Sequence, residues 1–244
     1  MERKKCPPGF RRQGPKCVPV RPTAVPMNRR FFGAPAGGPT SSPWSTGPAA
    51  KKATCVQALV SACFNICAPV LCGFISDPPG SVIPGNGSAV FGTVGVGGTL
   101  YKGGLIFAAD ATVQAKFREF TTAPANKLYA VVAFDAGGIG VVGAVLLGSG
   151  AAQVTVNGTL FVGTWTPTPG ATHTVHAYSQ NGVGFLFIDG VQIPLVPGGP
   201  SPITFMPNTF GFSAFNTDMD STAEFFSAFG ANGVFPPTTV FCCG

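Results

Sequence analysis

The acidic residues are the first place to look for chemistry, and their best cluster is Asp218, Asp220 and Glu224. Their i, i+2, i+6 spacing would put all three on one face of a continuous strand. Glycoside hydrolysis needs two carboxylates held about 5–9 Å apart. The region 86–244 offers few acids to supply such a pair, so no catalytic residues are predicted. Asp218 and Asp220 remain a weak calcium candidate, since Ca²⁺ takes oxygen ligands from loops. The alternative is a polar loop between the last two strands.

The only two histidines, His173 and His176, are three residues apart. In a strand that spacing places them on opposite faces, which argues against a shared metal site. Neither has an evident sequence partner for a catalytic triad. We predict that both are structural or exposed, and we expect no cofactor.

The eight cysteines all lie outside the region 86–241. Those between residues 55 and 72 are spaced 8, 4 and 5 apart without a CxxC pair, which makes zinc binding improbable. An even count permits disulfides, but the sequence leaves their pairing open. Adjacent cysteines at the C-terminus would tie it to the apolar segment or to another subunit. The disulfide candidates are Cys6, Cys17, Cys55, Cys63, Cys67, Cys72, Cys242 and Cys243.

Residues 1–52 form a basic, proline-rich segment with eleven Lys or Arg against Glu2, a segment charge of +10. Residues 81–244 sum to −3, so the net charge of +6 belongs to this arm. Ten prolines and little hydrophobic periodicity predict an extended or disordered arm that binds a partner. The charge alone does not distinguish nucleic acid, anionic lipid and an acidic protein surface as that partner, and a solubilising disordered tail is the alternative. Nucleic acid is the less favoured partner. The predicted contact residues of the arm are Arg11, Arg12, Arg29, Arg30, Phe31, Phe32 and Trp44.

Residues 53–75 run 23 positions without a charge, between Lys51-Lys52 and a Pro-Gly turn. They are predicted to form one apolar helix. At 1.5 Å per residue it would be long enough to cross a bilayer, with the arm on the cytoplasmic side. Four residues weaken that interpretation, and a buried helix packed against partner subunits explains the same segment. They are Gln57, Ser61, Asn65 and Pro69. Residues 76–85 are predicted to be a linker.

From residue 86 to 244 the hydrophobic period becomes two, as in Thr112–Arg118, where Val113, Ala115 and Phe117 share one face. About ten short apolar segments follow one another at intervals of 8–12 residues. Asn157-Gly158 and Asp189-Gly190 are signals for two-residue hairpins. The pattern predicts an all-β sandwich.

The stretch His173–Ile193, with its Asp189-Gly190 hairpin, resembles the core hairpin of concanavalin A-like (laminin-G-like) jelly rolls. Phe210–Phe215 reads like a later strand of those folds. The resemblance implies a jelly-roll β-sandwich. Glucanases of this class carry Glu-x-Asp-x-x-Glu on a strand. Here Asp218 stands at the first position and Glu224 is one residue too far along, which puts catalysis in doubt.

Lys5–Val18 is similar to a short element, CPPG followed by KCV, of virion proteins of nucleocytoplasmic large DNA viruses. That resemblance implies a structural role. We therefore predict a non-enzymatic protein, a minor capsid or other virion component that docks to neighbouring capsid proteins through its arm.

The alternative is a membrane-anchored, lectin-like carbohydrate-binding module, membrane-associated or extracellular. This class of sandwich often binds sugars. In this chain Trp165 is the only tryptophan within 86–244. Trp165 is therefore the predicted glycan contact.

Overall fold

The computed structural model describes residues 10–13, 16–19, 55–67, 71–92, 97–121, 127–201, 203–216 and 221–243. It divides the chain into two compact units, Met1–Ala49 and Ala50–Gly244. In the first unit, β1 (Phe10–Gln13) and β2 (Lys16–Pro19) pair as an antiparallel hairpin. The sequence predicted no strand in this arm, so the hairpin is a correction. It carries Arg11 and Arg12; the other predicted arm contacts (residues 29–32 and 44) lie outside the described residues.

The second unit consists almost entirely of antiparallel strands. In chain order they are β3 (Val60–Cys63), β4 (Ile75–Asp77), β5 (Val82–Pro84), β6 (Ala89–Phe91), β7 (Gly97–Lys102), β8 (Ala111–Arg118), β9 (Lys127–Phe134), β10 (Gly140–Leu147), β11 (Ala151–Val156), β12 (Thr159–Thr164), β13 (Thr172–Gln180), β14 (Val183–Ile188), β15 (Val191–Ile193), β16 (Val196–Pro200), β17 (Phe210–Asn216) and β18 (Ala223–Asn232).

These strands form two sheets that pack face to face. Sheet I has the order β16-β12-β11-β10-β9-β17-β7-β4. Sheet II has the order β15-β14-β13-β8-β18-β6-β5, with β3 also pairing β18. The predicted all-β sandwich is confirmed.

The period-two pattern explains how each strand contributes to the core. On β8, Val113, Ala115 and Phe117 are fully buried, whereas Lys116 and Arg118 are exposed on the opposite face. The predicted hairpins are also present. Asn157 and Asp189 have φ of 47° and 51°, and a glycine with positive φ follows each of them. A two-residue turn that matches the right-handed twist of its strands requires this backbone conformation, with positive φ at both residues.

The main hydrophobic core lies between the two sheets, and aromatic side chains fill its centre. Phe212 of β17 is fully buried. Its ring centroid lies 5.1–6.3 Å from those of five other phenylalanines, from both sheets and from the segment before β4. These neighbours are Phe64, Phe74, Phe91, Phe210 and Phe225.

The helix predicted over residues 53–75 is not observed. The described part of that segment holds β3, a single helical turn α1 (Phe64–Cys67), a 3-10 turn (Leu71–Gly73) and the start of β4. The reason is tertiary: β3 pairs with β18 in the register Ser227↔Cys63 to Gly230↔Val60. That pairing satisfies the backbone, and Phe64 enters the core.

The sandwich also begins earlier in the chain than predicted. β4 and β5 lie within or at the edge of the stretch predicted to be a linker, residues 76–85, yet each belongs to a sheet. Among the described residues, no helix has the length and apolar character needed to cross a bilayer.

Candidate ligand-binding site

The outer face of sheet I, the side turned away from the core, carries an open pocket of about 280 Å³. Its floor comes from β9, where the outward residues alternate with core residues such as Tyr129 and Val131. Neighbouring strands on either side and the segment 203–205 complete the pocket. The lining residues are Thr99, Leu128, Ala130, Val132, Phe134, Val145, Leu147, Gln153, Ile203, Thr204, Phe205, Gly211 and Ser213.

One wall of the pocket is the segment 203–205, which folds back onto the sheet. Thr204 forms a bridge with Ile139, and the Phe205 N–H donates to the Gly138 carbonyl at 2.9 Å. Gly138 has φ 75°, and a Cβ there would overlap the Phe205 carbonyl oxygen. Glycine at position 138 therefore permits the close approach that forms the wall.

The chemistry of the pocket is aromatic and uncharged. The Phe205 ring lies 5.6 Å from the rings of both Phe134 and Tyr101. Polar groups come from Gln153 and from a cross-strand pair, Thr99 and Ser213, whose hydroxyls are 2.8 Å apart. None of the described lining residues carries a charge. An apolar pocket with a few placed hydroxyl and amide groups suits a small neutral ligand.

Sequence reasoning missed this site, although one signal was present. Both the inward and the outward positions of β9 are apolar, as in a strand that is covered on both faces. Phe205 gave no such signal, because it lies in a connection whose path across the sheet depends on the tertiary structure.

Trp165, the predicted glycan contact, is not available to a ligand. Only 7% of its surface is exposed, and its indole N–H donates to the Leu147 carbonyl at 2.9 Å. Its ring meets Tyr129 and His173 edge to face. The hydrogen bond satisfies the indole, so the whole side chain can be buried in the core instead of lying on the surface.

His173 has partners that the sequence did not reveal, and it joins two carboxylates. Its Nε2 lies 2.9 Å from Glu119 Oε1, and its Nδ1 lies 2.7 Å from Asp189 Oδ2. Ionised carboxylates only accept hydrogen bonds, so with both of them ionised the two ring nitrogens donate and the ring is an imidazolium. The hydrogen bond to Glu119 raises the pKa of His173, burial opposes it, and Asp189 adds to the increase.

The two carboxylates around His173 also hold backbone groups. Glu119 is almost fully buried and accepts from the Thr168 N–H at 2.7 Å, while Asp189 accepts from the Thr174 N–H at 2.7 Å. The cluster thus ties the end of β8 to the loop before β13 and to the β14–β15 hairpin. It is closed by its own contacts, which supports a structural role for His173.

His176 is buried on the other face of β13, so the two histidines do lie on opposite faces. Its Nε2–H donates to the Phe235 carbonyl at 2.9 Å, and its Nδ1 lies 3.3 Å from the Gln114 amide nitrogen. Burial lowers the pKa of His176, and the bond to Phe235 only partly offsets this. The neutral imidazole thus links β13 to residue 235 through a hydrogen bond.

The lowered pKa of His176 predicts a loss of stability in acid. At pH values below about 6.5, the pKa of His176 in the unfolded chain, the unfolded chain binds a proton at this residue that the folded chain does not bind. Stability at this residue is therefore present above that pH and falls as the pH drops toward the folded pKa, by at most about 1.4 kcal/mol per pH unit. Urea unfolding between about pH 7.5 and about pH 5 should show a shallower decline in His176→Gln than in the wild type. Equal slopes would contradict the assignment.

Asp218 and Asp220 lie outside the described residues. Within the described ranges, no three His, Cys, Asp or Glu side chains are grouped as metal ligands. Among the described residues, disulfides join Cys55 to Cys242, Cys63 to Cys243 and Cys67 to Cys72. Cys17 lies in β2, and Cys6 is outside the described part.

Comparison with solved structures finds proteins that share the fold of the sandwich. The carbohydrate recognition domain of Emp47p matches with a TM-score of 0.53 and 11% identity over 72% of this chain and 96% of its own. The apo Crh5 transglycosylase matches with a TM-score of 0.52 and 14% identity over 72% and 85%. The Crh5 complex with NAG gives 0.52 and 13% over 74% and 87%.

At these identities the likeness establishes a shared fold, so the predicted concanavalin A-like sandwich is confirmed at that level. No family model matches the sequence, and no curated protein matches it significantly. The resemblance of residues 5–18 to virion proteins stays a prediction, because none of these matches bears on it.

Proposed function

We propose that the sandwich is a non-catalytic, lectin-like module that binds a neutral carbohydrate in the pocket on the outer face of sheet I. The observation that carries this proposal is the pairing of an aromatic wall, Phe205, with the hydroxyls of Thr99 and Ser213 and the amide of Gln153. The apolar face of a pyranose would pack on the ring, while the polar groups would orient its hydroxyls.

The fold likeness supports the same proposal. One structural neighbour is by its description a carbohydrate recognition domain, and another is a transglycosylase crystallised with NAG. The described pocket lining holds no carboxylate and no imidazole, which favours binding over glycoside cleavage. The disulfides of the second unit suit an extracellular or other oxidising compartment.

The test is a glycan array probed with the full chain, followed by two single variants. Phe205→Ala should weaken binding to the recognised sugar about tenfold, as expected for the loss of one aromatic contact. Phe185→Ala is the matched control, because Phe185 lies on the outer face of sheet II. Binding to no sugar class, or equal losses in both variants, would refute the pocket as a sugar site.

A structural role in an assembly is the second candidate, and the apolar residues on the outer face of sheet I favour it. Outward residues there, such as Leu128 and Val162, are only partly buried, so a protein neighbour could cover them. The finer assignment to a virion rests on residues 5–18 alone. A chain that binds no sugar but copurifies stoichiometrically with a large particle would favour this candidate.

A further inference from the structure

The C-terminal residues Gly233–Cys243 cross the outer face of sheet II, and we call this segment the strap. It begins on polar contacts: the Thr112 hydroxyl donates to the Gly233 carbonyl at 2.7 Å, and His176 donates to the Phe235 carbonyl. It ends beside the chain that leads into β3. There the Val56 N–H donates to the Val240 carbonyl and the Cys242 N–H to the Val56 carbonyl, both at 2.9 Å.

The strap covers a small hydrophobic cluster that is separate from the main core. Phe241 stacks on Phe229 of β18 with ring centroids 5.4 Å apart, and Phe235 meets Phe241 edge to face at 5.6 Å. The buried members of this cluster are Ala58, Cys63, Phe229, Ala231 and Phe241. The main core between the sheets contains no residue of the strap. Opening the strap would therefore leave the sandwich packed.

Two disulfides fasten the strap at one end only. Cys242 is bonded to Cys55 and the next residue, Cys243, is bonded to Cys63. Both bonds therefore hold the same end of the strap. Once either bond exists, the other closes a much shorter path than the 180 or more residues between its partners. Each bond therefore holds the strap in place when the other is broken.

Each of the two bonds has one cysteine at the protein surface. Cys55 and Cys243 are both exposed, so each disulfide has one accessible partner. Apart from the two disulfides, the strap is held by hydrogen bonds at its two ends and by two phenylalanines, Phe235 and Phe241. Without its fastening, a segment of this kind belongs to the least stable part of a fold.

We propose that Cys55–Cys242 and Cys63–Cys243 form a reversible redox site that a dithiol reductant operates, and that reduction of both bonds releases the strap from sheet II. In each step a thiolate of the dithiol attacks one sulfur of the disulfide and forms a mixed disulfide. The second thiol of the reductant then resolves it. Two electrons and two protons pass to the protein, giving two cysteine thiols, and the dithiol becomes a disulfide. Release uncovers Phe229 and the imidazole of His176. This inference does not depend on the sugar site, which lies on the other sheet.

The experiment is hydrogen exchange by mass spectrometry on the full chain, before and after treatment with a dithiol such as dithiothreitol. After both bonds are reduced, peptides covering 55–58 and 233–243 should exchange about 100-fold faster, while β9 and β10 stay protected. Binding of a fluorescent hydrophobic dye should rise at the same time, because Phe229 becomes accessible.

Variants separate the bonds from one another. The pair Cys55→Ser with Cys242→Ser, and the pair Cys63→Ser with Cys243→Ser, should each keep the strap largely protected, whereas the fourfold variant should release it. Cys67→Ser with Cys72→Ser is the control, because that bond spans five residues outside the strap. Protection of the strap after complete reduction would overturn the proposal. So would equal deprotection of both sheets, since the bonds would then hold the whole fold together.

Discussion

Replacing Phe212 by alanine is expected to lower the free energy of unfolding by about 3–5 kcal/mol, the usual cost of removing a buried phenylalanine. The ring is fully buried and touches five other phenylalanine rings. These come from both sheets and from the segment before β4, so no single element can move in to fill the space. The cost should lie at the upper end of that range, because it includes the cavity as well as the lost transfer energy.

Urea unfolding followed by circular dichroism measures this change, and Phe215→Ala is the matched control. Phe215 lies three residues further along the same strand, where its side chain is only partly buried. Its removal should cost less than about 1.5 kcal/mol. A loss below about 2 kcal/mol for Phe212→Ala would mean that the core collapses around the missing ring, contrary to the close packing of the phenylalanine rings.

Replacing Glu119 by glutamine should cost about 3 kcal/mol near pH 6, since it breaks a nearly buried ion pair while keeping the shape of the side chain. His173 then loses its closest carboxylate. The loss should shrink as the pH rises. The raised pKa of His173 means that its stabilising charge is fully present below about pH 6.5 and disappears as the pH passes the folded pKa. Above that pH the wild type no longer holds the imidazolium, and the free energies of unfolding of the wild type and of Glu119→Gln should converge.

Glu224→Gln is the control for that experiment. Glu224 pairs with Arg118 at 3.5 Å, but both side chains are partly exposed, so the pair should be worth less than about 1 kcal/mol. Unfolding free energies of both variants at about pH 6 and about pH 9 decide the matter. If the Glu119→Gln deficit is the same at both values, the charge of His173 does not contribute.

The strands could be predicted from the sequence because each carries its own signal. The alternation in β8 and the Asn157-Gly158 and Asp189-Gly190 turns are local properties, and the structure has strands and hairpins at these places. Residues 53–75 were predicted wrongly for the complementary reason. An uncharged apolar run is compatible with a helix or with buried strands, and the pairing of β3 with β18 decides between them only in the folded chain.

The candidate functional residues likewise depend on contacts between distant parts of the chain. His173 gave no sign of its carboxylate partners, because Glu119 and Asp189 are 54 and 16 residues away along the chain. Trp165 looked like a sugar contact because it is the only tryptophan of the sandwich, yet its position beside Tyr129 buries it. Phe205 could not be recognised, since the connection that carries it has no periodicity.

The sequence by itself determined that this protein is a β-sandwich, because period-two hydrophobicity and tight-turn residues act over a few neighbouring positions. Only the tertiary structure decided which face carries a pocket, which cysteines meet and which side chains pair with His173. Those contacts join residues that are far apart in the chain, and their free energy comes from burial and hydrogen bonding that exist only once the two sheets have closed on each other.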